Sequence, residues 1–183
     1  MVAAKYWRVI AAVWGIVGII FILSSPMYRL SQLSWPVITG GELLWYHWLI
    51  LSISIIFMAY AEGYKGFQKN FSPRVAARAR YLRDHASVVN GIFAPLFCMG
   101  YFGATRRRQI ASFILTSMLV ILIIGVSYLS QPWRTMIDAG VVVGLFWGIV
   151  SVVMFAVKAF FQKNFPYDAE LADKLRHNTK NKN

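Results

Sequence analysis

The chain has 183 residues, of which 58% are hydrophobic and 14% are charged, and its formal net charge is +12 at pH 7. Soluble domains carry about 25% charged residues, so this composition points to lipid as the solvent. The single cysteine, Cys98, excludes an intramolecular disulfide and any metal or cluster site built from several cysteines. The hydropathy and the placement of the bases indicate a membrane surface rather than nucleic acid as the partner of the positive charge.

Four uncharged runs have the length of a transmembrane helix. They cover residues 9–27, 43–61, 110–131 and 139–157. The shortest runs hold 19 residues, and 19 residues of α-helix rise about 28 Å, close to the hydrocarbon thickness of a bilayer. None of the runs shows the alternation of a β-barrel strand, so we predict four transmembrane helices. We interpret the first as a retained anchor, because no cleavage site of small residues follows it.

The bases outside these runs predict how the chain is threaded. Seventeen of the 19 Lys and Arg residues lie in the N-terminal stub, the long middle segment or the C-terminal tail. The two remaining loops hold one base each, Arg29 and Arg134, and each base is followed by an acid, Glu42 or Asp138. By the positive-inside rule both termini are cytoplasmic, in a plasma membrane or a bacterial inner membrane.

The five-residue stretch FQKNF occurs twice, at 67–71 and at 161–165, and a proline follows soon after each copy. Each copy comes after a span, an outer loop and a second span. This order predicts a duplicated helical hairpin, a parallel repeat about an axis along the membrane normal, folded as a four-helix bundle. The alternative is that two unrelated span ends converged on aromatic and lysine anchors of the cytoplasmic interface.

A basic cytoplasmic insert, residues 72–107, separates the first hairpin (1–71) from the second hairpin and the tail (108–183). Ser72-Pro73 predicts a helix start, and an apolar stripe flanked by arginines follows it. Such an amphipathic helix lies in the membrane interface and binds anionic lipid, or else it docks on an acidic protein partner. The candidate membrane-surface or partner contacts are Arg74, Arg78, Arg80, Arg83, Arg106, Arg107 and Arg108.

Residues 87–105 are apolar but are interrupted by glycine, proline and asparagine. A fifth span here would carry one arginine cluster and the basic tail to the outside, which the positive-inside rule disfavours. We therefore predict a short re-entrant or interfacial segment that turns near Ala94-Pro95 and packs against the bundle. It is the first segment to search for a ligand, and the alternative is an apolar loop that seals the bundle floor.

Two glycine ridges predict close helix packing. Gly140, Gly144 and Gly148 follow each other at intervals of four in the last span, and Gly15 and Gly18 line the first span. Small residues at such spacing allow two helix backbones to approach closely in lipid. We expect the two ridges to pack against each other or against a second subunit.

Three polar residues are candidates for an intramembrane site: His47, Glu62 and Asn90. A haem held by two histidines of one chain is not expected, because His85 and His177 both lie on the cytoplasmic side of the predicted threading. Glu62 either binds a cation or pairs with the lysines that follow it.

The chain has no phosphate loop, no zinc-binding spacing, no Ser-His-Asp set and no dinucleotide fingerprint. We therefore expect no catalytic residue, no metal and no cofactor. A non-enzymatic accessory, assembly or scaffold protein of a membrane complex is the favoured function, with anionic lipids and protein partners or further copies of the chain as its contacts. A small oligomeric transporter or channel subunit with residues 87–105 near the path is the alternative, and a membrane enzyme acting on lipid or quinone is the third.

Overall fold

The computed structural model describes residues 2–40, 43–162 and 164–172. The predictions for Glu42, for Lys163 of the second FQKNF copy and for the tail beyond 172 concern residues outside these ranges. Within the described ranges the chain is all-helical, and the one β-type contact is an isolated antiparallel bridge between Ala104 and Leu171.

The described part of the chain forms seven α-helices, and a π-helical segment joins the second to the third. The π-helical segment is Ala59–Phe71. The α-helices are α1 Val2–Thr39, α2 Trp45–Met58, α3 Ser72–His85, α4 Val88–Ile92, α5 Ala94–Met99, α6 Arg106–Ser127 and α7 Trp133–Phe161.

Helix α1 is much longer than the uncharged run that predicts it. It has 38 residues, about 57 Å of helix, and continues through Pro26 and Pro36. Near its end the Thr39 hydroxyl donates to the carbonyl of Trp35 at 2.9 Å. Arg29 therefore lies on a helix rather than in the outer loop in which we expected it, because the chain does not leave the helix until Gly40.

Helix α2, the π-helical segment and α3 form one continuous helix from Trp45 to His85. The sequence predicts a helix start at Ser72, and α3 does begin there. However, the π-helical segment runs directly into α3 without a break in the helix. The backbone N–H of Ser72 donates to the carbonyl of Phe67, a bond that spans five residues and carries the π-helical pattern into α3. The arginine-bearing helix is thus a rigid extension of the second apolar helix.

Three helices of the described chain are long and apolar enough to cross a membrane. They are Tyr6–Thr39, Trp45–His85 and Trp133–Phe161, and they correspond to the predicted spans 9–27, 43–61 and 139–157. The remaining run, 110–131, is largely covered by helix α6, and its crossing stays a prediction.

The core lies where α1, α3, α5 and α7 meet. Helix α7 is central, because it packs against α1, α2, α3 and the π-helical segment. Helix α6, in contrast, makes few contacts with α7, and most of its described side chains are exposed. The main buried cluster consists of Ala12, Ile16, Ile19, Val75, Ala79, Leu82, Ala94, Phe97, Cys98, Val152 and Ala156.

The glycine ridge of α7 packs inside the chain, against α2 and the π-helical segment. A Cβ built on Gly140 would lie 2.7 Å from Ser54 Oγ, one on Gly144 would lie 2.8 Å from Glu62 Oε2, and one on Gly148 would meet the Phe67 ring. These distances are shorter than van der Waals contact, so only glycine lets the helices approach this closely.

The glycine ridge of α1 faces α5 instead. A Cβ on Gly15 would lie 2.9 Å from Cys98 Sγ, and one on Gly18 would overlap the Pro95 ring. Both predicted ridges are therefore packing surfaces within the chain, but they do not pack against each other. The turn near Ala94-Pro95 supplies the partner of α1.

Replacing Gly18 by Ala is expected to lower the free energy of unfolding by about 1–3 kcal/mol, because the added methyl group overlaps the Pro95 ring and forces α5 away from α1. Gly125→Ala in α6 is the matched control, since nothing lies within 4 Å of a Cβ built there. The measurement is unfolding of both variants in the same detergent. Equal stability of the two variants would contradict the packing of α5 on α1.

Candidate functional site

The broken segment 87–105 packs on α1 through its two short helices. The Ser87 hydroxyl accepts the backbone N–H of Asn90 at 3.3 Å and so caps α4. The indole N–H of Trp14 donates to the carbonyl of Ile92 at 3.2 Å. Gly100, with φ of 89°, ends α5 in the left-handed conformation that favours glycine. Asn90 is partly buried here, and the predicted membrane depth of the segment stays a prediction.

Arg78 is the most deeply buried charged residue described in the chain, with 1% of its surface exposed. Its Nη1 donates to the carbonyls of Phe97 at 2.8 Å and Phe102 at 3.5 Å, and its Nη2 donates to the carbonyl of Glu170 at 3.0 Å. The guanidinium also lies over the Phe97 ring, 5.3 Å from the centroid. A buried cation needs such partners. In this structure Arg78 faces carbonyl oxygens of α5 and two loops rather than a membrane surface.

Other arginines bind the carbonyls at helix C-terminal ends. Arg80 donates to Gln162 O and Arg83 to Phe160 O, each at 3.0 Å, where α7 ends. Arg8 of α1 donates to the carbonyl of Asp84 at 3.1 Å, where α3 ends. The last carbonyls of a helix lack intrahelical partners and form the negative end of its dipole, so a guanidinium is stabilising there.

Glu170 in the tail completes the arginine cluster. Its Oε1 lies 3.2 Å from Arg74 Nε, and its Oε2 lies 4.0 Å from Arg108 Nε. Its backbone carbonyl accepts the N–H of Thr105 at 3.1 Å, and the N–H of Ala172 donates to the carbonyl of Gly103 at 3.0 Å. The tail is thereby fixed to the loop between α5 and α6. Glu170 was not among the predicted site residues. It is one of three acids in the tail, with Asp168 and Asp173, and acids beside so many bases are a signal for such pairing.

Two of the predicted surface arginines, Arg106 and Arg107, are exposed in the first turn of α6. For these two residues the contact with anionic lipid or a partner stays a prediction. The seven predicted arginines therefore fall into two groups: those that hold the helical insert, the tail and α7 together, and this exposed pair.

His47 lies at the opposite end of the long helix, beside a cleft of about 400 Å³. Its Nδ1 accepts the backbone N–H of Leu44 at 3.0 Å, and its ring meets that of Trp133 edge-on at 5.8 Å. Because Nδ1 accepts this bond, the neutral imidazole carries its proton on Nε2. The residues that line the cleft are Pro36, Val37, Gly40, Leu43, His47, Gln131 and Pro132.

Glu62 lies in the π-helical segment against Gly144 of α7. Its Oε2 is covered, and it has no hydrogen-bond partner among the described residues. The lysines that we expected to pair with it stack on tyrosines: Lys65 Nζ lies 5.1 Å from the Tyr60 ring centroid, and Lys69 stacks similarly on Tyr64. The structure thus brings Glu62 into contact with α7 but not with His47 or Asn90.

The described residues contain no group of three or more His, Cys, Asp or Glu side chains that could hold a metal ion. Cys98 is fully buried in the core beside Gly15. Burial raises the pKa of its thiol to about 12, although the charge of Arg78 acts in the opposite direction. A thiol of this kind packs as a small apolar group and is a poor nucleophile at neutral pH.

Comparison with protein-family models, with curated proteins and with solved structures finds no match for this chain. Its function must therefore be argued from its own contacts. Three places carry polar groups in defined geometry: the arginine cluster around Glu170, the cleft beside His47 and the covered carboxyl of Glu62. The first joins α3, α5, the start of α6 and the tail through hydrogen bonds and ion pairs.

Replacing Arg78 by Met is expected to lower the free energy of unfolding by about 2–4 kcal/mol. Met fills the space of the stem but cannot donate to the carbonyls of Phe97 and Glu170, which keep only their backbone donors. In detergent this loss of stability corresponds to a decrease of roughly 5–15 °C in the apparent Tm. Arg107→Met, at an exposed position, is the control. An Arg78→Met variant that melts with the wild type would show that the carbonyls do not depend on this side chain.

Proposed function

We propose that the protein is a non-enzymatic assembly or scaffold subunit of a membrane complex. It crosses the bilayer four times as two hairpins with both termini in the cytoplasm, and α6 is the helix that binds a partner. One observation carries this proposal: α6 lies beside the bundle with most of its described side chains exposed, whereas α1, α2 and α3 each pack against α7.

Most of the exposed side chains of α6 beyond its first turn are apolar, and they extend around about half of the helix. At about 100° per residue the exposed apolar residues cover an arc of about 180°. They include Ile121, which is 69% exposed, and Phe113, which is 58% exposed. Gly125 leaves room on the helix surface for the backbone of another helix, since nothing lies within 4 Å of a Cβ built there. Close packing at such small residues is what drives helix association in lipid.

The start of α6 is held in place, whereas most of the described side chains beyond it are exposed. The Ser112 hydroxyl donates to the carbonyl of Met99 at 3.1 Å, and the hydroxyls of Tyr101 and Thr116 share a hydrogen bond. Arg108 faces Glu170 of the tail. These contacts fix the direction of the helix relative to the bundle, which is what a scaffold requires of a docking element.

The other surfaces that we expected to bind partners are used within the chain. The glycine ridges of α1 and α7 are filled by α5 and by the π-helical segment, and Arg78 is buried. This supports α6, with the exposed Arg106 and Arg107 at its start, as the surface for a second protein in a bilayer that contains anionic lipid.

A photo-crosslinking side chain at Ile121 is expected to give, in native membranes, one protein adduct of defined mass. Phe21 of α1 is the matched control: it is apolar and 74% exposed, and it should give lipid adducts alone. The adduct at Ile121 should disappear in a Phe113→Ser, Ile124→Ser variant that still folds. Lipid adducts alone at both positions, together with a monomer free of partners by native mass spectrometry, would overturn the proposal.

Transport is the second candidate function, and the state of Glu62 favours it. A covered carboxyl oxygen that has no hydrogen-bond partner in the described part of the chain lies within a candidate membrane helix, in a π-helical segment. Ionisable groups inside the membrane often belong to ion or proton pathways, and π-helical turns are frequent at functional sites. A small oligomeric transporter or channel with residues 87–105 near its path fits this feature.

For the transport hypothesis, wild-type protein in liposomes should conduct protons or a monovalent cation, and Glu62→Gln should abolish the flux. Asp84→Asn, which removes the same charge at an exposed position in α3, should retain it. The measurement is a fluorescent pH or ion indicator inside the liposomes. Wild-type flux equal to that of empty liposomes would eliminate this candidate.

A further inference from the structure

The arginine cluster around Glu170 has the form of an anion site that is filled by the chain's own tail. We propose that Arg74, Arg78 and Arg108 bind a phosphate group, and that Glu170 occupies this phosphate site in the structure described. The phosphate belongs either to a lipid headgroup or to a free anion, and the experiment below separates these sources. The inference does not depend on the role of α6 in binding a partner.

The three guanidiniums reach Glu170 from different elements. Arg74 and Arg78 come from α3 and Arg108 from the first turn of α6. Arg74 Nε and Arg108 Nε approach the two carboxylate oxygens at 3.2 Å and 4.0 Å, and Arg78 Nη2 lies 3.0 Å from the carbonyl of the same residue. The three charged groups therefore meet at one residue, two at its carboxylate and one at its backbone carbonyl.

The charges in the cluster are unequal. Two guanidiniums face the single carboxylate of Glu170 and a third, that of Arg78, donates to its backbone carbonyl. The one other acid described nearby, Asp168, is also on the tail, where its Oδ1 accepts the N–H of Glu170 at 3.2 Å. A phosphate presents three acceptor oxygens and a charge near −2, so it satisfies the arginines better than one carboxylate does. Removal of the tail would leave the cluster without either acid.

Arg78 is prepared to bind an anion whether or not the tail is present. Its Nη1 is held by the carbonyl of Phe97 at 2.8 Å, independently of the tail. Displacement of Glu170 would remove the carbonyl that Nη2 donates to, while the bond from Nη1 to the Phe97 carbonyl keeps the guanidinium plane oriented. A donor that is positioned in advance loses little conformational entropy when the ligand binds.

The tail is a replaceable occupant. Glu170 has φ of 47°, in the left-handed region that a non-glycine residue rarely adopts. The Arg74–Glu170 pair is open to solvent, with side-chain exposures of 32% and 37%. An anion can therefore reach the carboxylate from outside, and the exposed Arg106 and Arg107 next to Arg108 favour its approach.

The test uses the full chain in a neutral detergent, with Glu170→Gln as the variant and Asp168→Asn as the control. Both changes remove one negative charge from the same tail, but only the first removes the carboxylate that faces the arginines. We expect Glu170→Gln to bind inorganic phosphate at least about tenfold more tightly than the wild type, as measured by the phosphate-dependent rise in Tm. Asp168→Asn should behave as the wild type.

A second arm identifies the source of the phosphate. Wild type and Glu170→Gln are placed in nanodiscs of phosphatidylcholine with and without phosphatidylglycerol, and the retained lipid is measured by native mass spectrometry. Preferential retention of phosphatidylglycerol by Glu170→Gln that is lost in Glu170→Gln, Arg74→Ala identifies a lipid headgroup. A phosphate response in the first arm without lipid retention identifies a free anion.

A further variant covers the case in which Glu170→Gln does not fold. Ala172→Pro removes the N–H that donates to the carbonyl of Gly103, so it loosens the tail while all side chains of the cluster remain. It should also increase phosphate affinity. The proposal is overturned if neither variant binds phosphate or phosphatidylglycerol more tightly than the wild type, or if Asp168→Asn gains as much as Glu170→Gln.

Discussion

The burial of one guanidinium, that of Arg78, organises one end of the helical bundle. By the predicted threading this is the cytoplasmic end. Arg78 cannot leave water unless its N–H groups find acceptors, and the acceptors come from α5, from the loop that follows it and from the tail. Each of these segments is held by the same side chain. The position of α5 against the glycines of α1, and the attachment of the tail beside α6, therefore depend on a residue of α3.

The same chemistry recurs at the ends of α3 and α7, where Arg8, Arg80 and Arg83 donate to the last carbonyls. An amphipathic stripe with flanking arginines predicts a helix at an interface, but the pattern is the same whether the guanidiniums meet lipid phosphates or backbone carbonyls. Both acceptors are oxygens, with a full negative charge on the phosphate and a partial one on the carbonyl. Which of them is present depends on where other helices end, and that is a property of the tertiary structure.

The sequence predicts where most helices lie and which residues allow close packing. It does not predict which elements pack against each other. The apolar runs predict helices because a bilayer sets their length, and Gly15 and Gly18 predict a close approach because a missing side chain leaves room. A glycine ridge does not identify the element that packs against it, so the sequence did not predict that Pro95 packs on α1. Glu170 was missed for the same reason, since it meets Arg74 across 96 positions of sequence.

Arg108 connects the two surfaces for which we propose partners. It belongs to the first turn of α6 and also faces Glu170, so the docking helix and the tail share one contact. An anion that displaces Glu170 changes what holds the start of α6. If the partner of α6 binds the two arrangements with different affinity, thermodynamic linkage requires that the partner change the anion affinity by the same factor. A scaffold built in this way would respond to the anionic lipid or phosphate around it through its own tail, without any movement of the bundle.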